Sequence, residues 1–473
     1  MEPDHIRFGG GATETLLHPL VAVWMVIAIV LILALPRKNA IAAFLLAVFT
    51  IPVGQVVVLG GLHFTVLRIL ILAALARAAG FRASSSRSGL PGGFNAVDRM
   101  VVLWTISAMT ILSIQWMDMQ ALIHNLGDFL DALGGYLAVR FLVSDREAIR
   151  RTVKVLALIC VIQGACMINE QISHLNVFGF IGGFSTGVTI RDGKIRSEGV
   201  LGCIPAGVFG GALIPLFLWL WRERKSRMIA FAALAGAVAM VITSNASTSW
   251  MAIGAALVGL SFWPLRKRMR LIRWGLGLGL LVLHLVMKAP VWALIARVDL
   301  TGSSSSFHRY ALVDNCMRHF ADWWLLGYKY FNLWGWDMWD LSNQFVAVAL
   351  TGGLLTLIFY IAIFSRSFGM IGTARKQVTG DREQEWLLWC LGSVLFAHVV
   401  AHFGINYGAP MQVGLFSILA CASTAAFEAR KATIRSTAAP AKVQLAHLVS
   451  PEGPREAAEA EVVQNSFPRR VGA

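Results

Sequence analysis

Three cations in six positions, Arg191, Lys194 and Arg196, stand with Asp192, Gly193, Ser197, Glu198 and Gly199 just ahead of an apolar run. Cations at such a mouth suit a diphosphate, because a guanidinium meets phosphate oxygens bidentately. Arg191-Asp192-Gly193-Lys194 is equally good chemistry for a solvated hairpin turn. Both readings stand for Arg191 and Lys194, whereas Arg196, close to Gly199 and the next span, is read as functional. A second concentration runs from Lys288 to Leu341, where Trp323, Trp324, Tyr328, Tyr330, Phe331, Trp334, Trp336 and Trp339 follow Arg297, His308, Arg309 and Arg318. Aromatic rings stack on sugar faces, and mixed Asp, Asn and Arg neighbours hydrogen-bond hydroxyls. Trp and Tyr also form belts at membrane interfaces, so the set is divided between the two roles.

Other polar positions read more plainly. Ser244-Asn245-Ala246-Ser247-Thr248-Ser249-Trp250 is a short polar connection whose hydroxyls are expected to cap the helix that follows. Arg68, Asp128 and Asp131 fall inside apolar runs and should face the interior, as an Arg–Asp pair between helices or as part of a proton relay. His398 and His402 have the i,i+4 spacing of zinc ligands but lack a third, and are read as core histidines. The six cysteines show no CxxC spacing, and neither a metal nor another cofactor is expected.

These residues need a scaffold, and the composition says what kind. With 57% hydrophobic and 14% charged residues, the 473-residue chain reads as a polytopic membrane protein. A crossing helix takes ~20 apolar residues. Thirteen such runs are expected, near 17–35, 40–59, 62–80, 99–116, 121–143, 151–169, 203–221, 227–243, 247–264, 272–289, 343–365, 384–404 and 410–427. The result is an all-α bundle of about 12–13 helices over 1–427, with outer segments 169–202 and 288–342 and a disordered cytoplasmic tail over 428–473. Glu2, Asp4 and Glu14 precede the first run in place of a basic n-region, so it is read as a retained span. The net charge of +15 lies mostly on every second connection, including Arg146/Arg150/Arg151/Lys154 and Arg266/Lys267/Arg268/Arg270. By the positive-inside rule those connections are cytoplasmic, the N-terminus lies outside and the tail inside. The excess also attracts anionic lipid headgroups, and nucleic acid is not an expected partner.

Three stretches together resemble the O-antigen ligase and O-antigen polymerase superfamily of bacterial membrane glycosyltransferases. They are Arg196…Glu198-Gly199 leading into Ile204-Pro205-Ala206-Gly207, then Arg309…Trp324-Leu325-Leu326-Gly327-Tyr328, and Asp340-Leu341-Ser342-Asn343-Gln344-Phe345 leading into Leu350-Thr351-Gly352-Gly353-Leu354-Leu355. The resemblance covers roughly residues 190–365. It implies a GT-C-like helical bundle with a large, partly helical periplasmic loop, acting without metal on undecaprenyl-diphosphate-linked oligosaccharide at the outer face of the inner membrane. Arg196 and Arg309 match the family's outer-face arginines, which grip the diphosphate. Ser342-Asn343 stands where the ligases carry His-Asn, and Trp250 stands where many relatives carry Arg.

The implied reaction is attack by an acceptor hydroxyl on the anomeric carbon of a lipid diphosphate sugar, with the guanidinium groups stabilising the departing diphosphate. Arg196, Arg309 and Asp340 are the expected catalytic residues, Asp340 as base or acceptor orienter with His308 next. Arg191, Lys194, Glu198, His308, Trp324, Tyr328, Ser342, Asn343 and Gln344 are expected to bind substrate. The leading expectation is polymerisation of lipid-linked repeat units for exopolysaccharide, capsule or O-antigen, donor and acceptor both undecaprenyl-linked, with a chain-length regulator and a flippase as candidate partners. The alternatives are ligase-type transfer to lipid A-core and, in another class, proton-coupled transport through Arg68, Asp128 and Asp131.

Overall fold

A computed structural model of the chain describes residues 14–84, 89–183, 185–297, 305–335 and 337–449. Trp336, Glu2, Asp4 and the tail from residue 450, all named in the expectations above, lie outside the described residues. The fold is mostly helical. In chain order it runs α1 (Pro19–Ala34), α2 (Arg37–Val48), β1 (Val56–Leu59), β2 (Leu62–Thr65), α3 (Val66–Ser84), α4 (Ala96–Trp116), α5 (Met119–Phe129), α6 (Gly135–Leu142) and α7 (Arg146–Ser173). Then come β3 (Thr189–Arg191), β4 (Lys194–Arg196), α8 (Cys203–Trp221), α9 (Arg227–Thr243), α10 (Ser247–Ser261) and α11 (Met269–Val286). The short helices α12 (Leu294–Arg297), α13 (Ser305–Arg318) and α14 (Phe320–Trp323) lead to α15 (Gln344–Gln377), α16 (Arg382–Ala401) and α17 (Ala409–Val449).

Among the described residues eight helices are long and apolar enough to cross a membrane: α4, α7, α8, α9, α11, α15, α16 and α17. The shorter α1 and α10 are apolar as well. This is fewer than the thirteen runs counted by hydropathy, and the early region accounts for much of the difference. Residues 40–59 do not form one span. Helix α2 stops at Val48 and the chain turns into the antiparallel β1–β2 hairpin, with Val56 opposite Thr65. Pro52 cannot donate a helical hydrogen bond, Gly60 and Gly61 both take positive φ, and the β-branched Val56-Val57-Val58 suits a pleated strand. The run 121–143 is helical throughout, but a π turn at Leu130–Gly134 separates α5 from α6. Helix α17 continues through the expected boundary at 427 to Val449; the described residues up to Ala429 form one compact unit, and those from Arg430 to Val449 belong to another.

The loops divide by charge into two ends. At one, Arg146 meets Glu383 at 2.8 Å, Arg150 and Lys154 meet Glu223 at 3.6 and 3.5 Å, Lys38 meets Glu147 at 3.2 Å and Arg266 meets Glu385 at 2.9 Å. The cations of alternate connections thus gather into one basic end. At the other end lie the β1–β2 and β3–β4 hairpins, the α9–α10 and α16–α17 turns, and the segment before α15. They are held to one another by the hydrogen bonds that build the site.

Candidate site at the α9–α10 turn

The β3–β4 hairpin pairs Thr189 with Arg196 and Arg191 with Lys194 across Asp192-Gly193. Both turn residues have positive φ, 53° and 71°, which is the two-residue geometry that matches strand twist. Arg191, 3.9 Å from Asp192 Oδ2, is half exposed, and Lys194 is exposed. The hairpin reading is therefore realised for this pair. Two side chains at the end of α7 pin the hairpin's exit. The buried Glu170 carboxylate accepts from the Glu198 N–H at 2.9 Å and the Gly199 N–H at 3.1 Å. Gln171 Nε2 donates to Ile195 O, Ser197 Oγ and Thr243 O, each at 3.0 Å. Glu198 itself accepts from Thr189 Oγ1 at 2.5 Å.

With the hairpin so pinned, Arg196 reaches the α9–α10 turn. Its Nε and Nη2 donate to Asn245 O at 3.3 and 3.1 Å, and Asn245 Nδ2 returns a 2.6 Å bond to Ile195 O. Asn245 adopts φ 45°, a left-handed conformation that Asn tolerates better than most residues. Arg196 is half-buried and forms no ion pair among the described residues. From the other side Arg309, on α13 and 6% exposed, donates through Nη2 to Ser247 Oγ at 2.8 Å and Thr248 Oγ1 at 3.0 Å. Thr248 Oγ1 in turn donates to Gly404 O at 3.1 Å.

The two arginines from distant segments therefore bind one turn, at positions two and three residues apart. This corrects the capping assignment for the Ser/Thr run. The N-cap of α10 is Ala246, without a side-chain cap bond, and Ser244, Ser247, Thr248 and Ser249 are buried. Two glycines make room for them. A Cβ on Gly207 would lie 2.6 Å from Ser244 Oγ, and one on Gly404 would lie 2.8 Å from Thr248 Oγ1 and 3.3 Å from Arg309 Nε. Trp250, next to the turn, is 43% exposed.

The start of α15 joins the same end. Asn343 is its N-cap, with Oδ1 accepting from the Phe345 N–H at 3.0 Å and the Val346 N–H at 3.2 Å, while its Nδ2 is buried without a hydrogen-bond partner. Gln344 donates its backbone N–H to His402 O at 2.8 Å and accepts from the Tyr407 N–H at 2.7 Å. Asn343 thus starts α15, and Gln344 braces the α16–α17 turn that carries Gly404. Below it, His402 Nε2 lies 3.0 Å from Tyr360 Oη and His398 Nδ1 lies 2.7 Å from Tyr407 Oη. The two histidines are core residues paired with tyrosines. Burial, reinforced by Tyr360, holds the Tyr407 phenol well above its ordinary pKa.

Trp324 and Tyr328 sit farther along. Tyr328 stacks on Trp334 with ring centroids 5.1 Å apart and planes at 7°, and Trp334 stacks on His319 at 4.5 Å. The ring of Trp324 is 47% exposed, while its backbone is tied to α15. Asp340 and Ser342 border His308: the Asp340 carbonyl accepts from Ser342 N–H at 2.9 Å and lies 3.0 Å from His308 Nε2. Away from this end group, Arg68 donates to both oxygens of Asp131, at 3.1 and 3.0 Å, and to Asp128 at 3.2 Å. That is the interhelical Arg–Asp pair, α3 to the α5–α6 junction.

Sequence reasoning passed over Glu170, Gln171 and Gly404, and took the connection that holds Asn245, Ser247 and Thr248 for a capping run. The signal available was the run of small hydroxyl residues between two apolar spans, which exceeds what one cap requires. No protein-family model matches the chain, and no curated protein matches its sequence.

Proposed function

We propose that the chain is a membrane glycosyltransferase that polymerises undecaprenyl-diphosphate-linked oligosaccharide repeat units at the outer face of the bacterial inner membrane. The observation that carries the reading is the shared turn: Arg196 on Asn245, Arg309 on Ser247 and Thr248. Two guanidinium groups fixed by backbone and hydroxyl oxygens are preorganised for a diphosphate leaving group, and a preorganised donor costs nothing to reorient as charge develops. The basic end is then cytoplasmic, which puts the arginine turn outside with the lipid-linked sugars. Exposed Trp324 and the Tyr328–Trp334–His319 stack, farther along the segment before α15, offer aromatic surface on which sugar rings can stack.

The donor's anomeric carbon is attacked by a hydroxyl of the acceptor glycan. The new C–O bond forms as the bond to the phosphate oxygen breaks, and the electron pair leaves on undecaprenyl diphosphate. The test is the lipid-linked glycan that accumulates in a strain lacking the gene. Single repeat units on undecaprenyl diphosphate are expected, restored to long chains by the wild-type gene but not by Arg196→Ala or Arg309→Ala. Accumulation of finished long chains identifies a ligase. Normal polysaccharide from both variants together with loss on Asp128→Ala identifies a transporter.

A further inference from the structure

The glycosyl-transfer reading leaves the acceptor's proton without a destination, and Ser342 holds the place where the ligases carry a histidine. A histidine nevertheless reaches that place from another element. The Asp340 carbonyl is shared by the Ser342 N–H, at 2.9 Å, and by His308 Nε2, at 3.0 Å, so the imidazole of α13 lies against the chain two residues before Ser342. A carbonyl only accepts, so Nε2 carries the hydrogen, and in the neutral ring Nδ1 keeps the lone pair. Asp337 Oδ2 lies 3.8 Å from Nδ1 and Asp340 Oδ2 lies 3.9 Å from Nε2. An ionised carboxylate has no hydrogen to give, so Asp337 leaves the Nδ1 lone pair open and, at 3.8 Å, faces the atom that would take the proton. Asp337 is held at φ 61°, a left-handed conformation uncommon outside glycine and concentrated at functional positions. The His308 side chain is 16% exposed, so the ring is partly open to solvent. The next residue on α13 is Arg309, the cation that binds the turn, so base and diphosphate grip ride on one helix.

We infer that His308 is the general base of the reaction, accepting the acceptor hydroxyl's proton on Nδ1 while the Asp337 carboxylate stabilises the imidazolium. The inference rests on the glycosyl-transfer reading. It moves the role first assigned to the Asp340 side chain onto His308, and leaves Asp340 to fix the tautomer through its carbonyl. In the step, the glycosidic C–O bond forms as the bond from the anomeric carbon to the phosphate oxygen breaks and its electron pair leaves with the diphosphate; the acceptor's O–H bond breaks, its proton goes to Nδ1 and its electron pair stays on the acceptor oxygen. The proton passes to water before the next cycle. An imidazole, with an ordinary pKa of about 6.5, matches a near-neutral surface better than an exposed carboxylate at about 4.

The test uses the full-length protein in membranes, with lipid-linked repeat units extracted from the gene-deleted strain as substrate and chain length on gels as the readout. Undecaprenyl diphosphate alone serves as the binding probe. His308→Ala is expected to lower turnover by about 10²–10³-fold, within the range for losing a general base, and to bind undecaprenyl diphosphate as the wild type does. Asp337→Asn, which keeps a residue tolerant of positive φ, is expected to lose less rate than His308→Ala and to bind undecaprenyl diphosphate as the wild type does. Turnover of His308→Ala within about twofold of wild type, or a greater loss of rate in Asp337→Asn than in His308→Ala, overturns the assignment even with diphosphate binding intact. A wild-type protein that neither binds undecaprenyl diphosphate nor extends the repeat unit overturns the glycosyl-transfer reading, and this inference with it.

Discussion

Trp324 and Leu354 are joined by a backbone hydrogen bond of 2.8 Å, the Leu354 N–H donating to the Trp324 carbonyl across a break in α15. One residue earlier, Gly353 has φ 68° and ψ −176°, a conformation open in practice to glycine alone. Its missing Cβ matters too, since one built there would lie 2.6 Å from Leu325 O. On the other side the Tyr328 N–H donates to Leu350 O at 2.7 Å, and Gly327 turns at φ 65°. The Trp324–Tyr328 segment and the Leu350–Leu355 segment are thus two halves of one lock. Gly353→Ala is expected to cost about 1–3 kcal/mol through backbone strain and to lower the detergent-solubilised melting temperature, with weaker protection of Trp324 against modification. An unchanged melting temperature argues that the break is adaptable.

Thr248 receives Arg309 and passes a bond to Gly404 O, so it should be more sensitive than its place at the start of a helix suggests. Thr248→Val keeps the shape and removes both bonds. Leaving a buried charged donor under-satisfied costs on the order of 1–3 kcal/mol. The expected outcome is reduced polysaccharide from a normally inserted protein, measured as chain length on gels against the amount of protein in membranes.

Arg309→Lys tests geometry apart from charge. A lysine keeps the positive charge but not the planar guanidinium that directs Nη2 at both Ser247 and Thr248. If charge alone matters, the lysine variant makes long chains; the expected result is loss close to that of alanine. Gly404→Ala approaches the same pair from behind, with a methyl 2.8 Å from Thr248 Oγ1 and 3.3 Å from Arg309 Nε. It is expected to weaken turnover while leaving Arg196 in place, which the binding of undecaprenyl diphosphate to the membranes measures.

Apolar run length made the later spans legible, because α7 to α10 and α15 to α17 follow hydropathy closely. It failed at residues 40–59, where Val56, Val57 and Val58 count as apolar whether they lie in a helix or a hairpin. Arg196 and Arg309 stood out by type and position. Their partners did not, because a backbone carbonyl at Asn245 leaves no mark in the sequence and the Ser247 and Thr248 hydroxyls look like caps. The same holds for His308, whose bond to the Asp340 carbonyl depends on how a long segment folds back, which residue spacing does not encode.

At the basic end, a fully buried pair makes a separate prediction about stability. Arg140 Nε donates to Asp98 Oδ1 at 3.2 Å, Tyr136 Oη donates to the same oxygen at 2.5 Å, and Asp98 Oδ2 accepts from the Asn95 N–H at 2.8 Å as part of a capping box. Removing one partner strands the other charge in a dry interior. Asp98→Ala is expected to cost about 3–5 kcal/mol, whereas Tyr136→Phe removes one of several donors and costs about 1 kcal/mol. Thermal unfolding in detergent separates the two, and equal effects would mean that the carboxylate is not the centre of the group.

Helices α7 and α9 cross at a pair of glycines, and the crossing should tolerate nothing larger. A Cβ on Gly164 would lie 2.7 Å from the Cα of Gly236, and one on Gly236 would lie 2.5 Å from Cys160 O. Where lipid is as apolar as leucine, helices gain by close backbone approach, and small residues permit it. Gly164 lies between Gln163, which holds Phe49 O and the Val200 N–H, and the end of α7 that carries Glu170 and Gln171. Splaying α7 from α9 would therefore pull Gln171 away from Thr243 O and loosen the hairpin that aims Arg196. Gly164→Leu is expected to lower both the melting temperature and polysaccharide output, with Gly164→Ala intermediate. A leucine variant that melts lower but keeps full chain length would show that the arginine turn is set without this crossing.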